Sequence, residues 1–336
     1  MLRYTVRRLA QLVVVLIVLS VLLFFWLRSL PGGPDSAICG DRCNAQQRAD
    51  LRAAMGLDQP LTTQYFKYVG RILGGDFGTS SAVEAGSDAI SVFLHRLPAT
   101  IELTVGALLF ALVLGIPLGY FTARRKGSIF DNVGIIGSLV GIAVPVFFLA
   151  YLLKYIFAVK LGWLPDSGRS TTGIRATNVT GFFVLDGVLT REWDASWDAL
   201  KHLLLPSIAL GTIPFAVLFR ITRGAVLDVQ NEDYVRTAEA KGLKTSTIRS
   251  RHILRNALLP VVTVAGLQVG ALLGGAVLTE TVFAFPGLGQ ATAIAFQQRD
   301  YAVLQILVLA SAATYMIVNL LVDLSYALID PRIRTR

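Results

Sequence analysis

The sequence predicts an all-α integral membrane protein with six transmembrane helices and a small extracytoplasmic subdomain after the first. Three observations carry that expectation. Of the 336 residues, 54% are hydrophobic and 16% charged, with a mean hydropathy of +0.61, a balance suited to a bilayer rather than to water. Six apolar stretches come close to or exceed the roughly 20 residues that a helix needs to cross a hydrocarbon core about 30 Å thick. The connections between them alternate between basic and neutral.

The stretches run from Leu9 to Leu27, Thr100 to Thr122, Asn132 to Val159, His202 to Phe219, Ala257 to Phe283 and Ala302 to Ile329. The first follows Arg3, Arg7 and Arg8, as a signal peptide would. Its length and the absence of a small-x-small site in Arg28-Ser29-Leu30-Pro31 make it a retained span. Gly115 and Gly119, Gly137 and Gly141, and Gly266, Gly270 and Gly274 put small residues four apart, the spacing that lets helix backbones approach. Pro117, Pro145, Pro206 and Pro214 mark expected kinks.

Orientation follows from the loops, because cytoplasmic segments accumulate Lys and Arg. With the N-terminus inside, the inner segments hold 17 basic residues against six acids, and the outer segments hold 13 of each. Both termini are therefore expected in the cytoplasm. The net charge of +9 comes from the inner face, which argues against nucleic-acid binding. Cys39 and Cys43 fall in the first outer segment, where an oxidising compartment favours a local disulfide. A metal pair is the alternative, but with no nearby His the site is incomplete, so no metal is expected.

The outer segment from Arg28 to Pro98 has helix grammar of its own. Asn44 and Gln47 form a capping-box start, Gly56 ends the run, and Gly74, Gly75 and Gly78 around Asp76 and Phe77 form turns. The second outer segment is rich in Gly and reads as a loop cap. The domain expectation is accordingly a tail and first span over 1–27, an extracytoplasmic subdomain over 28–98, and a five-helix core over 99–336 with a cytoplasmic loop at 220–256.

Catalytic signatures are missing. Lys241-Gly242-Leu243-Lys244-Thr245 has Leu where a phosphate-binding loop needs Gly before Lys, and there is no H-E-x-x-H or G-x-S-x-G. His95, His202 and His252 lie in different segments. Glu102, Lys154, Glu280 and Asp323 lie in spans or at their edges, where ionisable groups line cavities, pair across helices or relay protons. Snorkelling to the interface is the plainer expectation for Glu102 and Lys154. In the cytoplasmic loop, Arg236, Ala238, Glu239 and Ala240 lead to Gly242 and Leu243, and Thr245 or Ser246 is placed to cap a second helix. A helix, a left-handed turn and another helix can dock into a groove on a partner. The other reading is a basic loop that obeys the charge rule alone.

The chain resembles the peptide-type permeases of binding-protein-dependent ABC importers, a family that includes dipeptide, oligopeptide and nickel permeases. The resemblance covers nearly the whole chain. It rests on Leu30-Pro31-Gly32, Gly56-Leu57-Asp58-Gln59-Pro60, Gly75 to Ser80, Arg96 to Leu103, Leu161 to Pro165, the cytoplasmic segment Tyr234 to Pro260, Glu280 to Phe283, Pro286 to Gly289, Arg299-Asp300-Tyr301 and Asp323 to Arg334. Arg236-Thr237-Ala238 departs from the Glu-Ala-Ala of the wider superfamily, and Cys39 and Cys43 are not part of the pattern. The resemblance implies a type I importer permease fold in a bacterial or archaeal cytoplasmic membrane, and the loop 220–256 as the coupling element. It further implies a second homologous permease, two cytoplasmic P-loop ATPases holding ATP and Mg, and an external solute-binding protein. This chain would bind no cofactor. The alternative is a proton-coupled secondary carrier using Glu102, Glu280 and Asp323; a membrane enzyme has no catalytic constellation to support it.

Overall fold

The computed structural model describes residues 2–29, 44–54 and 56–329. Among them are twelve helices: α1 (Leu2–Ser29), α2 (Ala45–Ala54), α3 (Leu61–Leu73), α4 (Ala89–Arg124), α5 (Ile129–Ala143), α6 (Val146–Lys160), α7 (Phe183–Leu189), α8 (Trp193–Gln230), α9 (Asp233–Ala240), α10 (Thr245–Val282), α11 (Leu288–Gln297) and α12 (Tyr301–Ile329). The chain is all-helical, with five helices long and apolar enough to cross a membrane and a sixth span if α5 and α6 count as one. Cys39, Cys43 and Leu30-Pro31-Gly32 lie outside the described residues. The chain divides into two compact units, residues 1–98 with 286–320 and residues 99–285 with 321–336.

In the first unit the expected capping box forms. The Asn44 side chain accepts from the Gln47 N–H at 2.8 Å and the Gln47 side chain from the Asn44 N–H at 3.0 Å, satisfying two donors that the helix start leaves open. Gly56 closes α2 at φ +66°. The Gln64 amide on α3 then donates to the carbonyls of Leu57 and Gln59 and accepts from Arg28 Nε, tying this turn to α1. Asp300 is the second organiser. Its Oδ2 accepts from the Ser80 hydroxyl at 2.7 Å and from the N–H groups of Ser81, Ala82 and Val83. Two motifs 220 residues apart in sequence, Gly75–Ser80 and Arg299–Tyr301, thus meet at one buried carboxylate. Beneath them, Leu27, Val92, Phe93, Leu288, Val303, Leu304 and Leu307 share a core.

The second unit is organised by α4 and α8. A Cβ on Gly211 would meet the Ala107 carbonyl at 2.6 Å, one on Gly115 the Phe215 carbonyl at 3.2 Å, and one on Gly119 the Phe219 carbonyl at 2.6 Å. Residue numbers rise together along this seam, so the two helices run parallel. A Cβ on Gly134 would instead meet the Phe219 ring and one on Gly141 the Thr212 side chain, making α5 antiparallel to α8. Helix α10 is antiparallel too, with Ala257 packed near Val226 and Leu272 among Leu205, Ala209 and Leu210.

The third expected span differs from a single straight helix. It is broken at Val144-Pro145, and α5 and α6 are bent by 104°. Proline lacks an N–H and disfavours a helical conformation in the residue before it; Val144 is extended, at ψ 124°, and Pro145 starts α6. The pair still completes one traverse. It begins where Asp131 meets Arg223 and ends where Lys154 Nζ donates to the Val282 carbonyl. Pro206 and Pro214 are buried inside a continuous α8, and α4 continues through Pro117, so of the four prolines only Pro145, which is exposed, breaks its helix. Gly137 and Gly274 face open space and take no part in the glycine packing expected of them.

Gly119→Leu should therefore split the seam, since the obstructing atom is backbone and cannot swing aside. Thermal and denaturant unfolding in detergent should show a loss at or above the ~1–3 kcal/mol of ordinary overpacking, and Gly137→Leu should unfold like the parent.

Candidate functional site

Two groups of the sequence-predicted residues lie at opposite ends of the helices of the second unit. At one end, α8 runs on to Gln230, so that residues 220–230 of the expected loop are helical. Asn231 and Glu232 turn the chain into α9. Val235 and Ala238 are buried against Ala123, Val226, Ile248, Ile253 and Ala257, which fixes α9 by one apolar stripe. Arg236, Glu239 and Ala240 lie on the exposed side. Gly242 sits at φ +72°, with its N–H on the Glu239 carbonyl at 2.9 Å and the Leu243 N–H on the Ala238 carbonyl at 3.3 Å. This left-handed cap leaves Gly242, Leu243, Thr245 and Ser246 exposed.

The second helix starts one or two residues earlier than a cap at Thr245 or Ser246 would place it. Lys244, extended at ψ 134°, is the capping position, and neither the Thr245 nor the Ser246 hydroxyl caps the helix. The Lys244 carbonyl accepts from the N–H groups of Thr247 and Ile248, so Thr245 is already helical. The following turns, Ile248–Leu254, are π-helical. That wider winding turns both Ile248 and Ile253 into the core beneath α9. Beside it, Arg223 grips Asp131 with two hydrogen bonds of 2.6 and 2.8 Å, and the Gly127 N–H completes the Asp131 shell.

At the opposite end lie the carboxylates. Glu102 does not snorkel. It is buried and accepts from Arg169 Nε and Nη2 at 3.1 and 2.7 Å and from the Val184 N–H at 2.9 Å. Arg169 also donates to the Gly181 carbonyl and lies 3.9 Å from the Phe183 ring centroid. Burial pulls its guanidinium below the usual range while Glu102 pulls it back up. Glu280, fully buried, accepts from the Thr100 hydroxyl at 2.7 Å. Lys154 likewise turns inward to the Val282 carbonyl. Asp323 belongs to α12, but its side chain is outside the described atoms. Asp186 holds the loop before α7. Burial would raise its carboxyl, but the Thr180 hydroxyl and the N–H groups of Thr180, Val179 and Gly181 outweigh that and hold it below the ordinary carboxylate range.

The arrangement is a bundle with an exposed helix-turn-helix at one end and hydrogen-bonded buried carboxylates at the other. Sequence comparison identifies it. Residues 115–335 match the binding-protein-dependent transport system inner membrane component, and residues 1–104 match its N-terminal region. The chain belongs to this family. It is 44% identical over 335 residues to the di/tripeptide transport system permease protein DppB of Pseudomonas aeruginosa, covering 99% of both chains. It is 42% identical over 338 residues to the dipeptide transport system permease protein DppB of Escherichia coli K12, again covering 99% of both. The glutathione transport system permease protein GsiC of Salmonella choleraesuis is 39% identical over 336 residues, with 99% of each chain covered. A chain of the MetNI methionine ABC transporter in an inward-facing conformation superposes with a TM-score of 0.53 at 15% identity, over 72% of this chain and 97% of that one. The protein is a multi-pass inner-membrane permease component of an ABC importer, and nothing in its family or relatives supports the proton-coupled carrier.

Sequence reasoning found Glu102 and Glu280 but not their partners. Arg169 is an ordinary loop cation until the fold brings it to Glu102, 67 residues away; the same holds for Asp131 and Arg223.

Arg169→Met should cost about 3–5 kcal/mol by leaving Glu102 buried and unpaired, and adding Glu102→Gln should restore most of it. A double-mutant cycle in detergent measures this; a loss below about 1 kcal/mol for the single variant would show that the pair does not hold the loop of Arg169 to the bundle.

Because the folded Asp186 carboxyl titrates below its unfolded value of about 3.9, its contribution is fully present above that pH and fades as the pH falls through the depressed value. Hydrogen exchange at the Thr180 and Gly181 amides should therefore accelerate only below about pH 3.9, and Asp186→Asn should remove that dependence.

Proposed function

We propose that this chain is the transmembrane subunit through which di- and oligopeptides enter the cell by alternating access, energised by two separate cytoplasmic P-loop ATPases and fed by an external solute-binding protein. A second, homologous permease completes the passage. The chain itself is non-catalytic, and ATP and Mg are held by the ATPase subunits. The observation that carries this reading is the α9–Gly242–α10 element, fixed to the bundle by Val235 and Ala238 while its outer side stays exposed. The named cargoes of the relatives, dipeptide, di/tripeptide and glutathione, are all peptides, which supports the cargo class.

Docking of α9 and the turn into an ATPase groove would pass ATPase closure to α8 and α10, the two long helices that enter and leave the element. Arg236, Glu239, Ala240, Leu243, Thr245 and Ser246 form the docking surface, and Ala238 positions it from beneath. Glu102 and Glu280 then fix helix ends and the outer loop. The 17 basic residues of the inner segments support cytoplasmic termini, and the outer placement of Cys39 and Cys43 supports a disulfide between them.

Gly242→Asp should uncouple the complex, because a side chain at φ +72° strains the turn and displaces the docking surface. In proteoliposomes carrying all subunits, ATP-driven dipeptide uptake should fall by about tenfold or more, within the 1–3 kcal/mol of ordinary coupling between sites. ATP hydrolysis should continue and solute binding to the external protein should be unchanged. Normal uptake by this variant would overturn the reading.

A further inference from the structure

A cavity in the first unit has a composition that the docking element and the buried carboxylates leave unexplained. Its volume is ≈ 480 Å³, and its walls include Arg28 of α1, Tyr68 and Arg71 of α3, and the apolar side chains of Leu27, Leu57 and Phe77. Arg28 is held in place from behind. Its guanidinium lies 3.6 Å from the Phe24 ring centroid, with Nε donating to Gln64 Oε1 and Nη1 to the Phe24 carbonyl. Those two bonds leave three of its five N–H groups uncommitted among the described residues. Neither Arg28 nor Arg71 has a carboxylate partner there. Asp300 also borders the cavity, but its Oδ2 is occupied by four donors from Ser80 to Val83.

Tyr68 supplies a second, independent observation. It is only 3% exposed and its hydroxyl has no hydrogen-bond partner among the described residues, a costly state for a buried polar group. Burial, with Tyr65 adding to it, pushes this hydroxyl up to about 12, against the pull of Arg28 and Arg71. It is thus a neutral donor at physiological pH, close enough to both guanidinium groups to feel their charge. Among the described residues, two like charges with no carboxylate bonded to either and a donor without an acceptor are separate penalties, and one anion relieves both.

We propose that this cavity binds the terminal carboxylate of a short peptide, with Arg28 and Arg71 as a cationic clamp and the Tyr68 hydroxyl as a third donor. The planar, two-oxygen carboxylate matches the guanidinium fork. The volume lies in the ordinary range for small-ligand sites and well above that of an inorganic anion, and the apolar walls leave room for the residues preceding the carboxylate. The site rests on the peptide-importer reading and gives it a contact on the permease itself, separate from the solute-binding protein.

The test uses the assembled membrane complex without its solute-binding protein, titrated with alanyl-alanine, its C-terminal amide and acetate, with ATP-driven uptake by the complete system measured in parallel. The dipeptide should bind about tenfold tighter than the amide. Arg71→Gln, an exposed position that should not disturb folding, should abolish that preference while leaving the amide unaffected. Tyr68→Phe should weaken the dipeptide and acetate severalfold while the melting temperature without ligand stays level or rises, because an unpartnered buried hydroxyl is removed. Equal binding of dipeptide and amide, or unchanged binding by Arg71→Gln, would overturn the site. So would variants that keep dipeptide binding and lose only association with the solute-binding protein, since the cations would then be receiving an acidic side chain of that protein. A parent complex that shows the carboxylate preference yet fails in ATP-driven uptake would sink the transport reading and leave the site standing.

Discussion

Two helices that run the same way cannot be joined by a tight turn, and the parallel contact of α4 with α8 imposes that condition on most of this chain. The seam is closed by backbone, with the Gly119 and Gly211 positions facing carbonyl oxygens too near for any side chain, so the pair cannot separate or slide without losing its packing. A return traverse must then lie between them in sequence, and α5 and α6 supply it in two bent pieces. The connection from α6 to α8 must cross the end of the bundle opposite α9. That requirement explains why residues 161–192 are mostly irregular yet strongly tied, with Arg169 pinned to Glu102 and the 180s loop wrapped around Asp186.

The same geometry sorts the charges of the second unit. Asp131 and Arg223 meet about two turns before α8 ends, and the Glu102–Arg169 and Thr100–Glu280 pairs lie at the opposite end, where α4 enters this unit. Between these ends the contacts are small and apolar, among them Ala107, Ala111, Ala209 and Leu218. Charges placed at the ends are shared between elements and hydrogen-bonded, which keeps their desolvation tolerable and makes them register marks rather than a relay. A proton carrier needs carboxylates that exchange partners along a path. Glu102 instead accepts three hydrogen bonds, two from Arg169 and one from the Val184 N–H at the start of α7.

Much of this was legible in the sequence where the cause is local. The Asn44–Gln47 box, the left-handed Gly56 and Gly242 and the long apolar stretches depend on residues within a few positions of one another, and each appears where composition and spacing put it. What was not legible depends on neighbours. Pro117, Pro145, Pro206 and Pro214 look alike in sequence, but the chain stays helical through buried Pro206 and Pro214 and through exposed Pro117 and breaks at Pro145 alone, a difference that no residue near them in sequence marks. Glu102 looked like a residue near a span end that would reach for the interface, because nothing in residues 96–103 reveals that Arg169 returns to it. The cap of α10 at Lys244 rather than at Thr245 or Ser246, and the π-helical turns beyond it, are announced by no period in the sequence.

Coupling over the length of the bundle needs an element that moves as one piece. Helix α8 is unbroken from Trp193 to Gln230, which at 1.5 Å per residue is about 57 Å, longer than the hydrocarbon layer. One face of it packs on α4 and other parts on α5 and α10. Close-packed interfaces shift between discrete arrangements rather than deforming gradually, so displacement of α9 is transmitted along α8 as a change in its packing rather than absorbed by bending. Helix α10 leaves the same element and returns antiparallel, so under the proposed docking role both long helices would receive the same push at one end. The peptide-importer reading requires just such a pair, in which the packing of Val235 and Ala238 on α9 against Val226 of α8 and Ile248, Ile253 and Ala257 of α10 makes the exposed turn at Gly242 a handle on the bundle rather than a loose loop beside it.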